Sequence, residues 1–354
     1  MKRTRRIAFL LVTVLVMSLM SISAFAKSKY QVPTAGEYYT WNTYKNQWDK
    51  VGTFTAAYKS DGSITNYKYT DYQDPAYTWS KPANTREIKY TWKKGFLTKQ
   101  TRINTSYFTG ENNVVYPDTY TYTTKFKYKG GLPKKVSSTS QHLDTDPNYA
   151  DQNNTISSVT NYSWKGKIGT AKVSTKNNGR KDSYLVEATK KKQLKGSYNG
   201  NSKAEYAKNG NIKKETTKYS GSQYKGTYTK KYNKYGYVSS ISLNETYTMP
   251  DKVGTVSGST VVSYVMGAGK CPSEILYTVT SYNGTYRPKY PPKTPITPSV
   301  SQYRVVITAT KGVKSIKNCD KYGNDVLLGI NLESSLTSDT NGANSYVNYD
   351  DDDD

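Results

Sequence analysis

Histidine and cysteine, the side chains most often used as catalytic bases, nucleophiles and zinc ligands, are rare in this sequence. The single histidine is His142, in the polar stretch 140–144, and the two cysteines are Cys271 and Cys319. A serine–histidine–aspartate triad would need His142, which we expect to be an exposed and inert loop residue. Zinc sites take three or four ligands, and one histidine with two cysteines is a poor supply of them. We therefore expect no catalytic residue, no cofactor and no metal site.

Sequence motifs for enzymatic chemistry are missing as well. The sequence contains no phosphate-binding loop, dinucleotide-binding glycine motif or zinc-protease helix. Paired carboxylates that cleave glycosides meet only in space, so a glycan hydrolase stays open as the least favoured hypothesis. Surface pairing with lysine is the more ordinary role for the glutamates of the predicted strands. These are Glu87, Glu187, Glu205, Glu215, Glu245 and Glu274.

The N terminus has the three parts of a secretory signal peptide. Four basic residues precede an apolar run over residues 7–20, and Ala24-Phe25-Ala26 forms a small-x-small cleavage site. The alternative is a membrane anchor, for which the apolar run is short. We expect cleavage after Ala26 and a secreted, extracellular protein, which non-covalent contacts can hold at the cell surface.

An even number of cysteines in an exported chain favours a disulfide, here between Cys271 and Cys319. Such a bridge would close a long loop and contribute roughly 4 kcal/mol through loop-closure entropy. Two separately buried thiols are the alternative.

Side chains alternate between two faces along many segments, with the period of two that half-buried strands require. In residues 120–128, Phe126 and Tyr128 share one face, whereas Lys125 and Lys127 lie on the other. Glycine-containing turns separate such segments, as in β-hairpins. The 36 tyrosines argue against a disordered chain, because disordered chains are poor in aromatic residues. The sequence therefore predicts an all-β antiparallel meander of repeated hairpins, forming one long curled sheet or a two-layer structure.

Two of the glycine turns, at residues 231–238 and 318–326, resemble the tyrosine–aspartate (YD, Rhs-type) repeat of bacterial secreted proteins. That repeat runs aromatic, Asp, two variable residues, Gly, Asn and an aliphatic residue. The first copy has Asn233 in place of the Asp, and the second has Cys319 in place of the aromatic residue. The resemblance covers short segments, and it implies a bacterial, extracellular, all-β repeat architecture without assigning a catalytic residue.

The chain divides into five predicted segments. Residues 1–26 form the signal peptide, and residues 27–286 form the hairpin repeat region. A proline-rich loop or linker follows at 287–300. Strands at 301–333 are predicted to pair with the repeat region, with a separate module as the alternative. Residues 334–354 end in five aspartates and are predicted to be a disordered acidic tail.

The charge of the protein is strongly positive. Removal of the four basic residues of the signal peptide takes the formal charge from +24 to +20. Such a field favours anionic partners, although solvated lysines that protect sheet edges are the simpler alternative. We predict that lysines on the polar faces of strands contact polyanions. The candidates are Lys89, Lys93, Lys125, Lys127, Lys225 and Lys231.

Two functional hypotheses follow from this composition. The first is a non-catalytic binding protein for an anionic polysaccharide or wall polymer, with extracellular nucleic acid as a further ligand class. The second is a structural scaffold for a protein partner, in which the lysines serve solubility. Added salt should distinguish them, because polyanion binding weakens steeply with ionic strength and a packed protein interface does not.

Overall fold

The computed structural model describes residues 30–315, except 79, 111–112, 176–180, 189–193, 198–201, 208–211, 221–223, 236, 250–251 and 287–297. These residues form one antiparallel sheet of 18 strands with two short 3-10 turns. The predicted all-β meander is thereby confirmed. The predicted signal peptide, most of the proline-rich loop, Cys319 and the acidic tail lie outside the described residues.

The strands follow one another along the chain. They are β1 (Tyr30–Asn42), β2 (Gln47–Tyr58), β3 (Ile64–Asp71), β4 (Thr85–Lys93), β5 (Phe96–Thr109), β6 (Val115–Lys129), β7 (Leu132–Asp144), β8 (Asn154–Lys165), β9 (Ile168–Thr175), β10 (Lys181–Ala188), β11 (Leu194–Ser197), β12 (Ser202–Tyr206), β13 (Ile212–Ser220), β14 (Tyr224–Tyr232), β15 (Val238–Met249), β16 (Lys252–Met266), β17 (Pro272–Tyr286) and β18 (Ser299–Val313). The 3-10 turns are Pro147–Gln152 and Ala268–Lys270.

The strand order of the sheet is circular. Each strand pairs with the next along the chain, and β18 also pairs with β1, from Tyr30 opposite Val313 to Thr40 opposite Tyr303. The two strands that flank the predicted proline-rich loop, β17 and β18, pair with each other. The described strands therefore belong to a single sheet, rather than to the two stacked sheets that the sequence also allowed.

The tight turns use glycine where the backbone needs a positive φ. Gly62 between β2 and β3 has a φ of 84°, and Gly95 between β4 and β5 has a φ of 76°. Only glycine adopts this region without a steric penalty, so the repeated glycines set the positions of the hairpins. The ends of β5, β6 and β7 extend into the polar segments 106–118 and 140–154.

The hydrophobic core lies on one face of the sheet, which we call the inner face. Apart from Leu97 and Tyr237, its buried members come from β1–β4 and β15–β18, which we call the packed strands. They are Val32, Tyr38, Phe54, Tyr58, Ile64, Tyr67, Ile88, Tyr90, Val238, Ile241, Val262, Ile275, Tyr277, Val279, Val305 and Val313. Side chains from β3 and β17 belong to the same core, which contains Tyr67 and Tyr277 with Tyr69 packed against it. Burial raises the pKa of Tyr277, and Tyr303, Tyr67 and Tyr69 add to the rise.

Three buried tyrosines of the core, Tyr38, Tyr67 and Tyr237, have hydrogen-bond partners for their hydroxyl groups. The hydroxyl groups of Tyr38 and Tyr67 are hydrogen-bonded at 3.1 Å, and the Tyr237 hydroxyl donates to the Lys270 carbonyl at 3.1 Å. Tyr277 stacks on Tyr303 with 4.8 Å between ring centroids. Because a buried hydroxyl without a partner is costly, these contacts let tyrosine take the place that aliphatic residues occupy in ordinary cores.

Strands β5–β9, which we call the lysine strands, use the same alternation without a comparable core. On β6 the inner residues Tyr120 and Tyr122 remain 36% and 41% exposed, so this stretch of the inner face is open to solvent. Phe126, further along β6, packs against the edge of the core. The outer face of these strands is rich in threonine, serine and lysine, with Ile103, Leu143 and Val159 among them.

Candidate functional site

The six lysines predicted to contact polyanions are all exposed. On β4, Lys89 and Lys93 alternate with the buried Ile88 and Tyr90, and they therefore lie on the outer face. On β6, Lys125 and Lys127 alternate with Phe126 in the same way. The remaining two, Lys225 and Lys231, lie on the outer face of β14, away from the other four along the sheet.

The strand register brings further lysines to Lys125 and Lys127. Lys99 of β5 lies directly opposite Lys125, and Lys135 of β7 lies directly opposite Lys127. The second row continues from Lys135 through Asn161 to Lys172 of β9. We call the group of Lys99, Lys125, Lys127, Lys135 and Lys172 the lysine patch. The sequence did not single out Lys99, Lys135 or Lys172, because only the register shows which strands place them beside the predicted pair.

No acidic side chain shares the outer face of the lysine strands. The carboxylates within β5–β9 are Asp118 and Asp144, and both lie on the inner face, since they share the parity of Tyr120 on β6 and of its partner His142 on β7. Like charges placed directly opposite each other destabilise a strand pair. The lysine patch is therefore a surface whose charges an anionic ligand would neutralise.

The other predicted lysines have different surroundings. Lys89 forms an ion pair with Glu87 at 2.9 Å. Lys231 lies opposite Lys214, which in turn lies opposite Glu205 on β12. Lys225 lies between Ser220 and Thr246. Lys89 and Lys231 therefore have carboxylates in their surroundings, unlike the lysines of the lysine patch.

His142 is not the exposed loop residue that the sequence suggested. It lies on β7, and its ring stacks on Tyr120 of β6 with 4.2 Å between centroids and 11° between planes. Its side chain retains 11% of its accessible surface. The prediction failed because β7 continues to Asp144, beyond the point where the polar sequence suggested that the strand ends.

Acceptor atoms face both ring nitrogens of His142. Nε2 lies 2.8 Å from Oδ1 of Asp118, and Nδ1 lies 3.1 Å from the carbonyl oxygen of Gln152. Asp144 lies directly opposite Asp118 in the β6–β7 register. The sequence missed this group because its members are far apart along the chain and belong to different strands.

Cys271 lies in the short link before β17, where its side chain is 1% exposed. Burial raises the pKa of its thiol to about 12, so a free thiol here would be a weak nucleophile. Its predicted disulfide partner, Cys319, lies outside the described residues, and the bridge stays a prediction.

Comparisons with known proteins assign no family. No family model and no curated protein matches the sequence. Among solved structures, a porin-like protein from Bacteroides uniformis matches with a TM-score of 0.28 and 11% identity, over 79% of this chain and 99% of that one. A TM-score this low carries no argument about fold or function. The described part of the chain contains no helix with the length and apolar character of a membrane span.

Proposed function

We propose that this chain is a secreted, non-catalytic binding protein for an anionic polymer of the cell envelope or extracellular matrix. The observation that carries the proposal is the lysine patch, in which Lys99 faces Lys125 and Lys127 faces Lys135 on the outer face of β5–β9, where no described strand residue carries a carboxylate. Such a surface attracts polymers with regularly spaced phosphate, sulfate or carboxylate groups. The signal peptide predicted at residues 1–26 would deliver the protein to that ligand.

The spread of the patch over several strands suits a polymer better than a small molecule. Its lysines come from four strands of one sheet, and Ser137, Val159 and Asn161 lie among them. Neighbouring strands are about 4.8 Å apart, so the patch extends over a span that several units of a polymer chain can cover. Flexible lysines then act as point charges that tolerate variation in polymer geometry.

Binding of labelled double-stranded DNA and of a purified anionic wall polysaccharide, measured by fluorescence anisotropy between 50 and 200 mM salt, tests the proposal. Each lysine–phosphate contact contributes about 0.9 to the slope of log affinity against log salt for DNA. Replacing Lys125 and Lys127 by Gln should therefore lower that slope by about 2 and weaken binding to both polymers.

The matched control is Lys89→Gln, which removes an exposed lysine from the same outer face. Because Lys89 is paired with Glu87, its loss should change the slope by well under one contact. Absence of binding at low salt, or an affinity that ignores salt, would overturn the proposal. The scaffold for a protein partner would then be the better hypothesis.

A further inference from the structure

We propose that Asp118, His142 and Asp144 form a binding site for a divalent transition-metal ion, best matched by zinc(II). This site lies on the inner face where β6 and β7 meet the turn at Pro147–Gln152. It is separate from the lysine patch and does not depend on polymer binding.

The three residues present one ligand atom each within a small volume. A carboxylate oxygen of Asp118, a carboxylate oxygen of Asp144 and a ring nitrogen of His142 all lie within 4.8 Å of one another. In tetrahedral zinc coordination, ligand atoms at about 2.1 Å from the ion are roughly 3.4 Å apart. Small side-chain rotations are therefore enough to close the three atoms around an ion.

The hydrogen bonding of His142 is that of a metal ligand. The Gln152 carbonyl can only accept, so Nδ1 carries the proton and donates to it at 3.1 Å. A backbone carbonyl on the far nitrogen is the usual partner that orients a zinc-bound histidine. Nε2 is then the ring atom that faces Oδ1 of Asp118, at 2.8 Å, and a cation bound by both atoms would take the place of the hydrogen bond between them.

The two aspartates lie opposite each other on adjacent strands, which is unfavourable for two negative charges without a cation between them. Two hydrogen bonds hold Asp144 in place, one at its side chain and one at its backbone amide. Its side chain accepts a hydrogen bond from the Asp146 amide at 2.8 Å, and its own amide donates to Asn153 at 2.6 Å. One carboxylate is thus held in place on a buried residue, and the other lies across the strand pair.

The chemistry of these ligands selects the ion. Imidazole favours zinc, copper, iron and nickel over the alkaline earths, whereas two carboxylates suit zinc or manganese better than copper(I). Three protein ligands leave one position of a tetrahedral zinc ion for water or for an anionic group of another molecule.

Because His142 is the only histidine of the chain, nuclear magnetic resonance of ¹⁵N-labelled protein gives one imidazole spin system. We expect one equivalent of ZnCl₂, added to metal-free full-length protein, to shift the Nε2 resonance and leave Nδ1 protonated. An imidazole spectrum that does not change with zinc would overturn the proposal and leave a histidine–aspartate hydrogen bond.

Variants provide a second test by isothermal titration calorimetry. Asp144→Asn keeps an oxygen for the Asp146 amide but removes the charge, and both it and His142→Gln should weaken zinc binding at least tenfold. The matched control is Asp151→Asn, an exposed aspartate of the adjacent turn, which should bind like the parent protein. Weak binding by the acidic tail is common to all four proteins and cancels in the comparison. Equal affinities for all four would also overturn the proposal.

Discussion

The packed strands and the lysine strands have the same alternating sequence pattern, but only the packed strands build a core with it. Both alternate polar and non-polar side chains with a period of two. The inner positions of the packed strands hold residues such as Ile88 and Ile275, which are fully buried. The corresponding positions of β5–β9 hold serine, threonine and partly exposed tyrosine beside polar residues such as Gln100, Arg102 and Asn104. Alternation alone therefore specifies strands, and large inner residues decide where a core forms.

The outer faces differ as well. Packed strands pair their charges, with Lys50 bound to Glu37 at 2.6 Å and Arg304 bound to Glu274 at 2.8 Å. Within the described residues of β5–β9, the outer face carries the lysine patch and no carboxylate. The packed strands thus supply most of the buried core, and the lysine strands present the lysine patch. Four predictions test this division, beginning with the largest effect.

Alkaline pH should unfold the packed strands. Burial raises the pKa of Tyr38, Tyr264 and Tyr277 well above the ordinary tyrosine value near 10. The unfolded chain therefore loses these protons first as pH rises. Stability should be intact below about pH 10 and fall above it, by about 1.4 kcal/mol per pH unit for each such tyrosine.

Absorbance at 295 nm and circular dichroism during an alkaline titration measure this effect. Tyr277→Phe should move the unfolding midpoint to higher pH, whereas Tyr122→Phe, at an exposed position of the lysine strands, should leave it in place. Ionisation of all tyrosines in a chain that stays folded would contradict the expected linkage.

The second largest difference should appear when an aromatic side chain is truncated in each region. The loss of unfolding free energy should be much larger in the packed strands than in the lysine strands. Phe54 is 2% exposed and lies 5.3 Å from the Tyr38 ring and 6.0 Å from the Tyr67 ring. Phe54→Ala should cost about 3–5 kcal/mol of unfolding free energy, measured with urea. Tyr122→Ala in the lysine strands should cost about 1 kcal/mol or less. Similar losses at both sites would refute the proposed concentration of stability in the packed strands.

The predicted disulfide would add to the packed strands alone, since Cys271 lies at the start of β17. Peptide mapping without reductant should recover Cys271 linked to Cys319. Reduction should then lower the unfolding free energy by up to about 4 kcal/mol. Recovery of two freely alkylated thiols from native secreted protein would exclude the bridge.

Charge reversal in the lysine patch should have the smallest effect, and an unusual sign. Lys99→Glu places a carboxylate opposite Lys125 and should raise stability by about 0.5 kcal/mol at low salt. The matched change Lys89→Glu puts a second carboxylate beside Glu87 and should lower stability by a similar amount. High salt should remove both effects. If the two variants change the stability in the same direction at low salt, the surroundings assigned to these lysines are contradicted.

Much of the fold could be predicted because its determinants are local. The alternation of Phe126 with Lys125 and Lys127 is visible in neighbouring residues, and so are the glycines of the turns. The assignment of these lysines to a face opposite the core needed no knowledge of their partners. Strand ends were harder to predict, as the extension of β7 through His142 shows, because polar residues occur in partly open strands as readily as in loops.

Relationships between strands could not be predicted in this way. The opposition of Lys99 and Lys125, and that of Asp118 and Asp144, depend on the register of hairpins. A shift of one residue would move every side chain of a strand to the other face. The grouping of His142 with the two aspartates depends on the same register, and also on the turn that places Gln152 beside the ring.

The circular strand order also determines when this protein can finish folding. The Thr310 hydroxyl of β18 donates to the Gln31 side chain of β1 at 2.9 Å, across 279 residues of sequence. Most other pairings join neighbours along the chain and can form early, but this seam requires both ends of the sheet. Until it closes, β1 and β18 each present an unpaired edge to other chains, and the period of greatest aggregation risk lasts until the last strand arrives.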